Sequence, residues 1–119
     1  MNTTPYQTYQ LLITLTHGLT IPVGRFGVCA FPAGRYCYTG SAKRNFEARI
    51  ARHLSREKRL HWHIDYLLLA EGVAITDVRR LMEDECVVNA ATEGQILIPG
   101  FGASDCRAKC GSHLKYLGP

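Results

Sequence analysis

The stretch "YTGSAKRNFEARIARH", residues 38–53, carries most of what the sequence predicts about the fold. Tyr38 and Gly40 end a segment that is typical of a β-strand, and a polar turn follows it. Asn45 is a good N-cap for a helix that begins after the turn. The stretch therefore predicts a strand, a turn and a short helix in succession.

Two faces of this helix differ in chemistry. At about 100° per residue, an apolar stripe is formed by Phe46, Ile50 and Leu54. The adjacent face is formed by Arg49, Arg52, His53 and Arg56. Arg49 and His53 are i, i+4 neighbours at the edge of the apolar stripe, so we expect them to be partly shielded. Arg52 and Arg56 should point further into solvent.

The first forty residues predict an antiparallel sheet of three or more strands. Residues 9–16, "YQLLITLT", have the composition of a buried strand. Residues 20–23 and 25–31 are expected to form the arms of a hairpin, with glycines at its turn or bulge positions. A further short strand is expected over 35–39.

The second half of the chain alternates short helices and strands. The predicted elements are a helix over 64–71 ended by Gly72, a strand starting over 73–81, a helix over 83–91 and a strand over 112–117. In the helix over 83–91, the residues expected to face inward are Cys86, Val87 and Ala90. Together the elements predict a single α+β domain, residues 1–119: a small central antiparallel β-sheet flanked by short helices, with an added N-terminal hairpin.

Charge is distributed unevenly over the 119 residues, whose net charge is +4. Residues 25–59 contain nine Lys or Arg and two acids, whereas residues 60–105 contain two Arg and eight acids. A basic block of this kind is typical of a protein that binds a polyanion, most often nucleic acid. The alternative is an ordinary solvated basic face.

Hydropathy and cysteine content suggest a cellular location. No run of 18 apolar residues is present, so no transmembrane helix is expected. The start "MNTTPYQTYQ" lacks a basic segment leading into an apolar one, which argues against a signal peptide. We therefore expect a cytoplasmic protein without a membrane partner, monomeric by default. Its five cysteines should be reduced and mostly buried.

Several residues have the chemistry that phosphodiester cleavage requires. That reaction must deprotonate a water and offset the negative charge that builds on the phosphoryl and leaving oxygens. The candidates are Tyr9, Tyr36 and Tyr38 on strands, Arg49 and His53 on a helix, His61 and His63 on a loop, and Glu83 or Glu85 on a later helix. This set suits metal-assisted phosphoryl transfer.

The order and spacing of these residues resemble those of the GIY-YIG nuclease superfamily. Tyr38-Thr39-Gly40 is similar to the YIG half of the motif, and Arg49 and His53 are similar to its essential Arg and the His one turn later. The blocks "FPAGRYCYTGSA", "LHWHIDYLL" and "GFGASDC…CGSHLKYL" further resemble the small stand-alone Uri-type endonuclease branch. The resemblance covers about residues 7–117.

The first half of the motif is only partly present. It falls on Gln7-Thr8-Tyr9, where only the Tyr is kept, and a hairpin over 20–31 accounts for the long interval to Tyr38. The "GRY" at 34–36 looks similar, but it directly precedes YTG and leaves no room for a separate strand. The resemblance therefore implies that Tyr9 is the motif tyrosine.

The resemblance also implies how the phosphate is held. Glu85 matches the family's metal-binding Glu best, with Glu83 as the alternative, and would bind one Mg²⁺ or Mn²⁺. Arg49 would contact a nonbridging phosphate oxygen, because its planar guanidinium suits phosphate better than Lys does.

Tyr9 is the implied general base for the attacking water. A free phenol has a pKa of about 10, so a second group must help it lose or pass on a proton. His53 or His61 could accept that proton. Tyr38 would position the water or the phosphate.

Basic residues around Arg49 are expected to bind DNA. The phosphate contacts would be made by Lys43, Arg44, Arg52, Arg56, Lys58 and Arg59, with His63 as a supporting contact. No separate recognition domain is present, so the chain should read shape rather than a long sequence. The expected function is a metal-dependent endonuclease acting on single-stranded or branched DNA.

Each assignment has an alternative. The segment "HWHIDY" could be a helix entry rather than part of the site. Asp65 would then compensate the helix N-terminus, and Trp62 would pack against the fold. Arg49 could pair with Glu47 or with an acid of the C-terminal half, and Glu85 could be a surface acid at a helix start. The whole chain could be a catalytically silent nucleic-acid-binding module on the same fold.

A zinc-stabilised structural domain is the other alternative for the whole chain. It would use Cys106, Cys110 and His113, whereas structural zinc normally has four ligands with tighter Cys spacing. We therefore favour a loop that closes the sheet at this point.

Overall fold

A four-stranded antiparallel sheet is the centre of the computed structural model, which describes residues 6–102 and 111–119. The strands are β1 (Thr8–Leu15), β2 (Leu19–Pro22), β3 (Val28–Phe31), β4 (Gly34–Ser41), β5 (Val73–Leu81) and β6 (Leu114–Gly118); the helices are α1 (Phe46–Leu54), α2 (His63–Leu68) and α3 (Glu85–Ala91). The sheet order is β5-β1-β4-β6, and β2 pairs with β3 in a separate hairpin. The predicted α+β class, central sheet and added hairpin are confirmed.

The odd-numbered residues of β1 form the main core. Leu11, Ile13 and Leu15 are buried together with side chains from α2 and from the hairpin. They share one face because side chains alternate along a strand. α1 covers the same face at the start of β1, in a second buried cluster made by Tyr9, Ala42, Phe46 and Ile50.

The even-numbered face of β1 is held to the end of α3 by buried polar groups. The Gln10 amide donates to the hydroxyls of Thr39 (3.2 Å) and Thr92 (2.8 Å). The Lys115 ammonium is buried and donates to the carbonyls of Asn89 (3.0 Å) and Thr92 (2.9 Å). These contacts satisfy donors that would otherwise be costly to bury, and they fix where α3 sits.

The rotation of α3 differs from the prediction. Val88 and Asn89 face inward, whereas Val87 is 61% exposed, Ala90 is exposed and Cys86 is half-buried. Hydrogen bonds of polar side chains set this rotation. Glu85 accepts from the Ser41 hydroxyl, and one turn later the Asn89 amide donates to the Ser112 carbonyl at 2.9 Å. The buried hydrogen bond of Asn89 outweighs the apolar pattern of Cys86, Val87 and Ala90, which predicted a different inward face.

The start and end of α1 also differ from the prediction. Asn45 occupies the N-cap position, but its φ of 54° is left-handed and its side chain makes no capping hydrogen bond. Leu54 is 50% exposed, and the third buried position of the helix is His53 instead. The imidazole is buried because it has a hydrogen-bond partner on β1.

α2 spans His63–Leu68, so it ends before the predicted residue 71, and Gly72 lies in the turn beyond it. Within the described ranges, none of the helices has both the length and the apolar character needed to cross a membrane.

A buried ion pair links α1 to the start of α2. The Asp65 carboxylate is fully buried and accepts from both terminal nitrogens of Arg52 (3.1 and 3.0 Å) and from the backbone N–H of His61 and Trp62 (both 2.9 Å). Burial alone raises the pKa of Asp65, but these hydrogen bonds and the Arg52 charge lower it below its ordinary value. The prediction that Arg52 points into solvent is wrong, because a buried carboxylate needs its cation.

Removal of the Asp65 charge should destabilise the protein. Asp65→Asn should lower the free energy of unfolding by about 2–3 kcal/mol at pH 7, since Arg52 loses its charged acceptor. The depressed pKa means that the Asp65 contribution is present above the unfolded value of about 3.9 and is lost as pH falls through the folded value. The difference between the two proteins, measured by urea unfolding, should therefore shrink below about pH 4. The exposed Glu71→Gln is the matched control, and an Asp65→Asn as stable as wild type would contradict the assignment.

Candidate active site

One end of the central sheet opens into a cavity of about 490 Å³. Its lining includes five of the six predicted catalytic residues: Tyr9, Tyr38, Arg49, His61 and Glu85. It also includes Gly40, Ser41, Trp62, His63, Gly102 and His113. The sixth predicted residue, His53, lies directly behind Tyr9. Residues from β1, β4, α1, α3 and the segment before α2 therefore meet at one place.

Tyr9 and His53 form a buried pair behind the cavity wall. The Tyr9 hydroxyl lies 2.7 Å from Nε2 of His53, and both residues are almost fully buried. Among the described residues, no hydrogen-bond partner lies within reach of the other imidazole nitrogen, Nδ1. The pair therefore has one internal hydrogen bond, and Tyr9 also lines the cavity.

Both members of this pair are held in their neutral forms. Burial is the main reason that the pKa of Tyr9 is raised above its ordinary value, with the Arg49 charge opposing the rise and Glu85 adding to it. Burial, assisted by the Lys58 charge, lowers the pKa of His53 to about 4. At neutral pH the site thus contains a phenol beside an uncharged imidazole.

Gly40 allows Tyr9 to reach this position. The two residues are opposite each other in the β1–β4 register. A Cβ on Gly40 would lie 2.5 Å from the Tyr9 hydroxyl oxygen and 2.6 Å from two of its ring carbons. The glycine is required by this close approach, and the Tyr-x-Gly spacing of the sequence is its signature.

Tyr38 lies deeper in the wall. It is buried, and burial raises its pKa well above the ordinary value. Its ring is perpendicular to the imidazole of His53, with 6.1 Å between the ring centroids. This environment suits a neutral hydroxyl that orients a neighbour rather than a phenolate.

Arg49 forms no ion pair with a carboxylate in the described part of the chain. Glu47, the alternative partner, binds Arg80 through two contacts of 2.8 Å. The Arg49 guanidinium instead donates to the Ser41 carbonyl at 3.3 Å and lies beside the Tyr9 hydroxyl. Its charge is therefore available to an anion that enters the cavity.

Glu85 is oriented by two side chains that the sequence did not identify as its partners. The Ser41 hydroxyl donates to one carboxylate oxygen at 2.9 Å, and Nδ1 of His113 contacts the other at 2.8 Å. The same nitrogen lies 3.1 Å from the Thr39 carbonyl, so two acceptors favour a proton on it. The alternative acid, Glu83, is exposed and does not line the cavity.

A hard cation fits this carboxylate if water and substrate supply its other ligands. The described residues contain no group of three or more His, Cys, Asp or Glu that could hold a metal ion. Mg²⁺ is commonly bound by one or two carboxylates, several waters and substrate phosphates. Glu85 has a side chain that is 26% exposed, and each of its oxygens retains a lone pair, so it meets this requirement.

The residues proposed for a zinc site are only partly described. Cys106 and Cys110 lie outside the described residues, so the expectation of a loop without zinc stays a prediction. The remaining member, His113, is buried against Glu85 and Thr39.

The basic residues predicted to bind nucleic acid fall into two groups. Lys43, Arg44, Arg56 and Arg59 are exposed, and no ion pair within the described residues involves their side chains. The others have internal contacts. Arg52 binds Asp65, and Lys58 donates to the carbonyls of Arg52 (3.2 Å) and His53 (2.7 Å) at the end of α1. Lys58 thus compensates a helix C-terminus.

The two loop histidines also differ. His61 is exposed at the cavity and its ring is perpendicular to that of Trp62, with centroids 5.0 Å apart. Nδ1 of His63 accepts from the Gly102 N–H at 2.9 Å, and its ring packs on Phe26 at 4.6 Å. His61 is therefore placed to reach a ligand, whereas His63 holds a loop at the rim.

With this geometry established, the chain can be compared with known families. A family model described as "Domain of unknown function DUF123" matches residues 8–119. The chain belongs to the DUF123 family. No curated protein and no solved structure matches it. The match includes β1 through the final residue, so every side chain that lines the cavity lies within the DUF123 domain.

A side chain at position 40 should disturb this DUF123 site. In Gly40→Ala the new methyl group requires displacement of the Tyr9 ring, so we expect a loss of about 1–3 kcal/mol in the free energy of unfolding and a broken Tyr9–His53 contact. Chemical denaturation and the chemical shift of the His53 Nε2 would report these changes. Gly18→Ala is the control, since its nearest contact would be an ordinary 3.6 Å. Equal effects of the two substitutions would contradict the close-approach argument.

The buried imidazole predicts a loss of stability in mild acid. The folded pKa of His53, about 4, lies below the unfolded value of about 6.5, so the unfolded chain binds a proton that the native imidazole resists. Stability due to this residue is therefore present above pH 6.5 and should fall by about 3 kcal/mol as pH drops to 4.

This pH dependence can be isolated by His53→Gln, which does not titrate. Urea unfolding at intervals between pH 7.5 and 4 should give a loss that is smaller by about 3 kcal/mol in the variant than in wild type. His17→Gln is the matched replacement of an exposed histidine. The same slope in wild type and His53→Gln would show that the buried imidazole is not responsible.

Proposed function

We propose that this DUF123 chain is a metal-dependent endonuclease that hydrolyses phosphodiester bonds in DNA, and that it is a member of the GIY-YIG superfamily close to its Uri-type branch. The observation that carries the proposal is the convergence of Tyr9, Arg49 and Glu85, from β1, α1 and α3, on a single cavity. The resemblance implies the same three residues as base, phosphate ligand and metal ligand. A base, a cation and a carboxylate in one cavity are what phosphodiester hydrolysis requires.

Arg49 would bind a nonbridging oxygen of the scissile phosphate. Its guanidinium faces the cavity without a carboxylate partner among the described residues, so phosphate binding does not require an ion pair to break. The negative charge that grows on the phosphoryl oxygens is then offset by a fixed positive charge.

Tyr9 and His53 would together accept the proton of the attacking water. The water oxygen attacks phosphorus and the P–O bond to the leaving oxygen breaks; the water proton moves to the Tyr9 oxygen, and the Tyr9 proton moves to Nε2 of His53 across the 2.7 Å contact. Tyr9 never needs to ionise in advance, which agrees with its raised pKa. His53 is neutral above about pH 4, and its tautomer with the proton on Nδ1 would leave Nε2 as the acceptor.

Glu85 would hold one Mg²⁺ or Mn²⁺, oriented by Ser41 and His113. When bound, such an ion stabilises negative charge on the leaving oxygen. Tyr38 would position the water or the phosphate from the buried wall, and His61 would contact the substrate from the exposed rim.

The exposed basic residues support a nucleic-acid substrate. Phosphate contacts by Lys43, Arg44, Arg56 and Arg59 would be salt-dependent and independent of sequence. No separate recognition domain accompanies the cavity within the described residues. We therefore propose single-stranded or branched DNA as the substrate. Cytoplasmic location and a monomeric state remain predictions.

The direct test is a cleavage panel. Wild type, Arg49→Ala and Glu85→Gln would be incubated with labelled single-stranded, duplex, flap and branched DNA and with RNA, in Mg²⁺, Mn²⁺ or EDTA. Wild type should cut single-stranded or branched DNA only with metal, and each substitution should lower the rate at saturating substrate by about 100-fold or more, because each removes charge stabilisation from the transition state.

Arg35→Ala is the matched control for Arg49→Ala. Arg35 is an exposed arginine on β4 that does not line the cavity, and its loss should leave the cleavage rate near that of wild type. Metal-dependent cutting that survives both site substitutions would disprove the assignment. Binding of DNA without any cutting would favour the catalytically silent module instead.

A further inference from the structure

The indole ring of Trp62 lies against two guanidiniums of α1, those of Arg49 and Arg52. The Cζ atom of Arg49 lies 4.7 Å from the centroid of the indole ring, and that of Arg52 lies 4.3 Å from it. Both distances are within the range of a cation–π contact, for which Trp is the best ring. No sequence argument assigned this side chain any role beyond packing.

The backbone of Trp62 is fixed by the Asp65 carboxylate, and its indole contacts Arg52, which binds the same carboxylate. The backbone N–H of Trp62 donates to Asp65, and the same carboxylate binds both terminal nitrogens of Arg52. Arg52 in turn lies against the indole ring, so the three residues form a closed set of contacts. Since Asp65 is fully buried, this set is shielded from competing water.

Arg49 lines the cavity, whereas Arg52 and Asp65 do not. A guanidinium that interacts with an aromatic ring does so through its π face, so its N–H groups stay available in the plane. Arg49 uses them for the Ser41 carbonyl at a long 3.3 Å and for the Tyr9 hydroxyl. An ion pair with a carboxylate would hold Arg49 equally well but would occupy the edge that a phosphate needs.

We propose that Trp62 is a positioning residue for Arg49: the indole ring, locked by Asp65 and Arg52, holds the Arg49 guanidinium by its face and presents its N–H edge to a phosphate in the cavity. This inference rests on the proposed function in one respect, since it takes Arg49 as the phosphate ligand. It adds a reason for the rigidity of that ligand. Preorganisation lowers the ordering cost of binding and improves the geometry of the reaction.

The contact can be measured without any activity. In ¹⁵N-labelled protein the Nε–H signal of Arg49, assigned with Arg49→Lys, should be shifted by the ring current of Trp62. The shift should disappear in Trp62→Leu and persist in part in Trp62→Phe. An Arg49 signal at the position of a solvent-exposed arginine in wild type would overturn the proposal.

Inorganic phosphate is the probe for function, because it has no base that could stack on the ring. Titration followed by the Arg49 Nε–H signal should show binding about 5-fold weaker in Trp62→Leu than in wild type and near wild-type binding in Trp62→Phe. For cleavage, Trp62→Leu should lower kcat in wild type but have no further effect in an Arg49→Ala background, as expected if it acts through Arg49.

The outcomes separate this inference from the proposed nuclease function. Phosphate binding that depends on Trp62, in a protein that cuts no nucleic acid, would support the positioning role and remove the function. Cleavage and phosphate binding unchanged in Trp62→Leu would keep the function and overturn the positioning role. Loss of affinity for single-stranded DNA without any change in phosphate affinity would also overturn it, in favour of base stacking. If Trp62→Leu does not fold, as judged by its melting transition, Trp62→Met replaces it, since Met also lacks an aromatic face.

Discussion

The register that places Tyr9 opposite Gly40 is the constraint on which the candidate site depends. Only a residue without Cβ leaves room for the phenol, because any methyl group there would lie 2.5 Å from its oxygen. With that space available, the ring turns toward α1 and meets Nε2 of His53 at 2.7 Å. The tyrosine–histidine pair between β1 and α1 therefore depends on one close approach between β1 and β4.

The basic residues of α1 and of the segment that follows it have different roles. Arg52 neutralises the buried Asp65, and through it fixes the segment before α2. Lys58 compensates the end of the helix, and its charge also helps to keep His53 neutral. Arg49 is left with its edge toward the cavity. The buried Asp65 carboxylate thus binds Arg52, whereas Arg49 stays available to an anion in the cavity.

Much of this arrangement could be predicted from residue patterns. The strand alternation, the turn at 41–45 and the helix stripe led to the α+β fold with its hairpin, and the Tyr-x-Gly spacing with Arg49 and His53 led to one wall of the cavity. The choice of Glu85 over Glu83 agrees with the geometry, since only Glu85 lines the cavity. The cap at Asn45 and the end of α2 differ from the prediction. Three further errors, at Arg52, at Leu54 and on the inward face of α3, share one cause. In each case a buried polar group with a distant partner outweighed the local apolar pattern, and such partners are not visible in a window of one helix.

The order of residues alone establishes which chemical groups are available and which local elements carry them: a phenol two residues before a glycine at the end of a strand segment, an arginine and a histidine one helical turn apart, and a carboxylate at a later helix start. The tertiary structure alone decided their roles. It paired Asp65 with Arg52, placed Trp62 beside Arg49, and brought Ser41 and His113 to Glu85. The physical reason is that these contacts satisfy buried charges and donors across separate elements. Local propensity and spacing describe neighbours within one element, so they do not predict which residues of separate elements will meet.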